Sequence, residues 1–232
     1  MEQSWIMLLA IAPGPALGAL VWWLDRYNRE PHDLLIGCFL WGAASIVPVI
    51  VLQHTLVIIV QPDMNNLTSV ILYAFGIIAA TEELTKYLVV RSYVYWRPDF
   101  DEPYDGITYT VMVAMGFATT ENILYVVGSD ASMQLGIALL RMFTAVPAHA
   151  ANGVLMGYFL GLAKFTDTSR GLHIAACAAA IIAHGLYDVF LLYSNPGALT
   201  LGAFVVLAIA VRLSIRAIRI HQHISPFRDQ HH

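Results

Sequence analysis

Charge is what this chain has least of. Only 12% of its 232 residues are Asp, Glu, Lys or Arg, while 58% are hydrophobic; a soluble domain carries about 25% charged residues. The net charge is −4 and no basic patch with interleaved aromatics is present, which excludes the footprint of a nucleic-acid binder. Cysteine is scarce as well. Cys38 and Cys177 lie far apart, each inside an apolar run, without metal-type spacing. They read as small buried hydrophobes rather than a disulfide. The first apolar stretch is preceded by Met-Glu-Gln-Ser, without the basic leader of a secretory signal, so it is expected to remain as a first span. Internal repeats and low-complexity tracts are also lacking.

Long apolar runs take the place of charge. A helix needs about 20 apolar residues to cross the hydrocarbon core, and seven segments qualify: 5–24, 34–60, 67–90, 106–128, 133–163, 172–193 and 198–215. The expectation is an all-α integral membrane protein, a polytopic bundle of about seven transmembrane helices forming one domain over 1–220, with a short cytoplasmic tail at 221–232. The second and fifth spans contain Pro48 and Pro147, where tilts or kinks are expected. Every second connection is basic. Arg26 and Arg29, then Arg91 and Arg97, then Lys164 and Arg170, and finally Arg212, Arg216, Arg219 and Arg228 mark one side; 61–66, 129–132 and 194–197 hold no Lys or Arg. The positive-inside rule then puts the N-terminus outside and the C-terminus in the cytoplasm. Gly153, Gly157 and Gly161 repeat at four-residue spacing on span five, a small face that lets helices pack closely in lipid.

Against this background the ionisable residues inside the spans stand out. Span three carries Glu82, Glu83 and Lys86, span four Glu121 followed by Asn122, span five Arg141 and His149, and span six His184 and Asp188. Such groups cost several kcal/mol in lipid unless they face partners or water. At about 1.5 Å of rise per residue, Glu82, His149 and His184 fall near the middle of their spans, with Glu121 and Asp188 about one turn towards the outer side. Four helices thus bring polar groups to a similar height, which points to one buried site. Glu82 and Lys86 share a helix face at i and i+4, as do His184 and Asp188. Glu83 points about 100° away from Glu82 and is expected to do a different job. Pro147 frees a backbone carbonyl near Phe143 where water could enter. Arg141 reads as a structural counter-charge; His54, His173, His221, His223, His231 and His232 read as structural or solvated. Carboxylates with imidazoles form a zinc ligand set, with a further Glu as general base. A proton- or ion-coupled transporter or sensor would use the same buried carboxylates as a relay, although the matching broken halves common in transporters are not visible.

Four segments in order, Thr81-Glu82-Glu83-Leu84-Thr85-Lys86, Gly116-Phe117-Ala118-Thr119-Thr120-Glu121-Asn122, Pro147-Ala148-His149 and His184-Gly185-Leu186-Tyr187-Asp188, resemble the motifs of the PrsW intramembrane proteases. The stretch Asp25-Arg26-Tyr27-Asn28-Arg29-Glu30-Pro31 resembles that family's elbow after the first span. The family is similar to the CAAX prenyl proteases, whose second motif ends in His where this chain has Glu121. The resemblance implies a prokaryotic plasma membrane and hydrolysis of peptide bonds in membrane proteins or membrane peptides. It implies Glu82 as the base that activates water, and Glu121, His149 and His184 as ligands of a divalent metal, zinc by chemistry. Glu83 and Lys86 would tune charge, and Asn122 or Asp188 would orient ligands or stabilise the oxyanion. A metal-free mechanism would use the same residues, with Glu82 activating water and a histidine stabilising the oxyanion.

Overall fold

A chain in lipid must satisfy its backbone polar groups within itself, and helices do so segment by segment. The computed structural model describes residues 2–167, 169–193 and 198–231. The expected outer loop 194–197 and His232 lie outside the described residues. The helices are α1 (Glu2–Ile11), α2 (Pro13–Leu24), α3 (His32–Ala44), α4 (Ile46–Val60), α5 (Leu67–Leu72), a π-helical turn (Tyr73–Ala79), α6 (Ala80–Tyr93), α7 (Pro103–Val127), α8 (Gln134–Phe143), α9 (Ala145–Lys164), α10 (Ser169–Leu192) and α11 (Ala198–Ile224). A short 3-10 turn follows at Arg228–His231. Among the described residues there is no strand.

Among the described residues, six helical stretches are long and apolar enough to span a membrane: Gln3–Leu24, His32–Val60, Leu67–Tyr93, Pro103–Val127, Ser169–Leu192 and Leu201–Ile224. The seventh helix, α9, has 20 residues. The fifth expected span, 133–163, is not one kinked helix. It breaks at Thr144, with φ −125° and ψ −70°, into the short α8 and then α9. Pro147 is the third residue of α9, a first-turn position where its missing N–H costs nothing. The second span repeats the pattern, changing helix at Ser45 with Pro48 third in α4. The last helix runs nine residues past the expected end at 215, so the expected boundary at 220/221 falls inside it. His221 there is fully buried, its ring stacked on Tyr158 at 4.6 Å.

The centre of the bundle is α7 packed on α9. A Cβ at Gly106 would meet Gly157 O and Gly161 N at 2.5 Å, so the two backbones touch. This bears out the small face on span five. On its other side α7 packs on α3, and a Cβ at Gly42 would fall against the Val113 backbone. Buried residues of α3, α6, α7, α9 and α10, among them Cys38, Val90, Tyr109, Met156 and Ala176, form the largest apolar cluster. Both cysteines are free.

Candidate active site

The π-helical turn Tyr73–Ala79 leads directly into α6. Such turns insert an extra residue and commonly sit at functional sites; this one sets the direction in which Glu82, Glu83 and Lys86 leave the helix. All three are buried, at 3%, 1% and 1% exposure. Lys86 Nζ donates to Glu83 Oε1 at 2.8 Å and lies 3.4 Å from Glu82 Oε2. It also lies 3.1 Å from His149 Nδ1 and 4.2 Å from the centre of the Phe117 ring. One ammonium therefore offsets two carboxylates. The expectation that Glu82 and Glu83 part company is only half met: both reach Lys86, and they differ in what else they touch.

Glu83 is clamped. Besides Lys86 it meets His184 Nδ1 at 2.8 Å. Glu82 is held loosely, 4.0 Å from His184 Nε2, with Gln53 Nε2 donating to its Oε1 at 3.3 Å. The same Gln53 amide donates to Thr81 Oγ1 at 3.0 Å. The rings of His149 and His184 stand edge to face with centroids 5.2 Å apart. Asp188 Oδ2 lies 3.3 Å from His184 Nε2.

Glu82, Glu121, His149, His184 and Asp188 all line one cavity of about 620 Å³. Groups that the sequence puts at one height on separate helices therefore share one cavity. Glu121 is positioned differently from its neighbours. Its Oε2 accepts from Arg141 Nη2 and lies 3.0 Å from His149 Nε2. Arg141 arrives from α8 because the helix breaks at Thr144, and its Nε donates to Asn122 Oδ1 at 2.6 Å. Asn122 is turned away, donating to Ala10 O at 3.2 Å. It holds α1 and α8 to α7. Gln53 and Thr81 were not singled out by the sequence reading. The signal for Gln53 was available: it is a polar residue inside the apolar run 34–60.

Glu82, Glu83, His149 and His184 each offer a ligand atom, all within 4.8 Å of one another. Two carboxylates and two imidazoles, buried and convergent, fit a divalent metal by donor chemistry. The arrangement already stabilises one positive charge, on Lys86.

A profile described as "PrsW family intramembrane metalloprotease" matches residues 30–214. The chain belongs to this family. Curated relatives named Protease PrsW include those of Geobacillus kaustophilus, 35% identical over 198 residues, Bacillus subtilis, 33% over 190, and Clostridioides difficile, 31% over 201. The alignments cover 84%, 80% and 84% of this chain and 83%, 82% and 83% of the relatives. No solved structure matches. The protein is therefore an intramembrane protease whose substrates are proteins or peptides of the membrane. The transporter reading has no support among these relatives.

Proposed function

We propose that Glu82 is the general base of this protease and that Glu83, His149 and His184 hold the metal. The carrying observation is the contrast between adjacent acids. Glu82 faces the cavity with long contacts, whereas Glu83 is fixed between Lys86 and His184 at 2.8 Å each. A base needs freedom to take a proton from water and return it to the leaving amine; a ligand needs fixed geometry.

Glu121, expected as a ligand, is assigned a positioning role: it orients the His149 ring through Nε2, leaving Nδ1 towards Glu82, Glu83 and Lys86. Asp188 orients His184 in the same way. Asn122 serves α1 and α8 rather than the reacting atoms. Zinc matches the donor set, and when bound it would supply Lewis-acid polarisation of the scissile carbonyl. A metal-free route has one specific observation in its favour, the Lys86 ammonium lying amid Glu82, Glu83 and His149.

Substrate reaches the cavity through the bilayer. Ile50, Leu140 and Leu191, from α4, α8 and α10, line the cavity and are 45%, 59% and 48% exposed. That apolar wall suits a transmembrane segment. The basic connections support an orientation with the N-terminus outside and the C-terminus in the cytoplasm.

The test pairs a cleavage assay on a transmembrane peptide with metal content of the purified protein. Glu82→Gln is expected to lower turnover by about 10²–10⁴-fold while keeping fold and metal. His149→Ala and His184→Ala lose both activity and metal. Residual cleavage by Glu82→Gln near the wild-type rate transfers the base to Glu83. A metal-free wild type that remains active establishes the route without metal.

A further inference from the structure

A second cluster of acids lies at the opposite end of α7 from Glu121. We propose that Asp25, Glu102 and Asp105 form a site for a hard divalent cation of the Ca²⁺ class, tying the elbow after α2 to the start of α7. The three side chains come from two segments far apart in sequence, and each offers an oxygen within 4.8 Å of the others. They are 1%, 0% and 0% exposed.

Asp105 and Glu102 form a capping box at the start of α7. Asp105 Oδ2 is spent on it, accepting the N–H groups of Asp101 and Glu102 at 2.7 Å each. Asp105 Oδ1 and Asp25 Oδ2 have no hydrogen-bond partner and no access to solvent. A buried acceptor without a donor costs about 1–3 kcal/mol, more when charged, and the buried Glu30 carboxyl beside Asp105 adds a fourth acid to the cluster, so the group calls for a cation or protons.

Protein cations do not fill the place. Arg29 spends its guanidinium on the carbonyls of Asp25 and Trp23, at 3.1 and 3.4 Å. Among the described residues, none of the three acids makes an ion pair. The N-terminus of α7 contributes about half a positive charge, too little for three carboxylates. The donors are all oxygen, which suits Ca²⁺, Mg²⁺ or Mn²⁺ rather than zinc. Two oxygens facing each other across Ca²⁺ lie about 4.8 Å apart, and the three carboxylate oxygens all lie within that reach of one another.

The experiment uses the full chain in a non-ionic detergent, stripped with chelator, with Ca²⁺, Mg²⁺ and Mn²⁺ added separately. Thermal unfolding and Mn²⁺ binding by electron paramagnetic resonance are read together. The midpoint is expected to rise with Ca²⁺ in the wild type and in His149→Ala/His184→Ala, where the protease cluster is disabled. Asp25→Asn and Asp105→Asn should bind cation at least about tenfold more weakly and lose the rise. The double histidine variant separates this site from the protease metal, so failure of either reading leaves the other standing. If a variant does not fold, stoichiometric Mn²⁺ binding to the double histidine protein decides. The proposal falls if no cation shifts the wild type and no Mn²⁺ binds, or if the shift survives in both Asp→Asn variants; protons then hold the cluster.

Discussion

Removing Lys86 should unbalance the site more than any other single change. Its Nζ is the positive group nearest to both Glu82 and Glu83, at 3.4 and 2.8 Å, and all three side chains are at most 4% exposed. Lys86→Met keeps the length and apolar stem but leaves two buried carboxylates without that counter-charge. Breaking a buried pair from one side costs about 3–5 kcal/mol, out of about 5–15 kcal/mol for a whole domain. At roughly 2–4 °C per kcal/mol for a chain of this size, the midpoint in chelator should fall by roughly 6–20 °C. The space vacated among Glu82, Glu83 and His149 should hold a divalent cation instead, so added zinc should recover much of the loss, and more than it adds to the wild type. Glu83→Gln combined with Lys86→Met should recover part of it without metal, because one carboxylate then becomes neutral. Thermal unfolding in non-ionic detergent, with chelator and with zinc, measures each case. A Lys86→Met protein within about 1 kcal/mol of wild type in chelator would refute the view that this ammonium balances the two acids.

Two further outcomes are expected. Gly157→Ala places a methyl 2.6 Å from Ile107 Cα and closer still to Gly106 O. It should force α7 from α9 at a cost of about 1–3 kcal/mol and lower turnover through the Glu121–His149 contact, measured by unfolding beside the cleavage assay; unchanged values would mean the helices part freely. Reporter fusions after residues 28, 97 and 167 should read cytoplasmic and those after 64, 131 and 196 external; one reversed loop overturns the orientation.

Much of the fold could be read from the runs themselves. Spans one to four fall close to their expected limits because a stretch of about 20 apolar residues has few ways to exist in lipid except as a helix. The break at Thr144 was harder to see. Pro147 signalled a disturbance, but a proline can either bend a helix or begin one, and packing of α8 against α1 and α7 decided for the second. The depth of Glu82, Glu121, His149 and His184 followed from counting residues, since rise along a helix is fixed. Rotation is not fixed in the same way once a π-helical turn intervenes.

The sequence by itself determined which groups share a height along their spans, since the rise of each helix fixes the height of its residues. It also carried the ordered motifs that mark the family. Which of these groups touch was decided by the tertiary structure alone. Glu83 pairs with His184 across 101 residues, and Glu121 with His149 across 28. Gln53 reaches Glu82 from a helix that carries no motif. The two acids at 82 and 83 are chemically alike and adjacent, so sequence cannot tell the clamped one from the one facing the cavity. That difference arises from how α4 and α10 close on α6, because a contact depends on the azimuth of two helices at once, and composition constrains only one helix at a time.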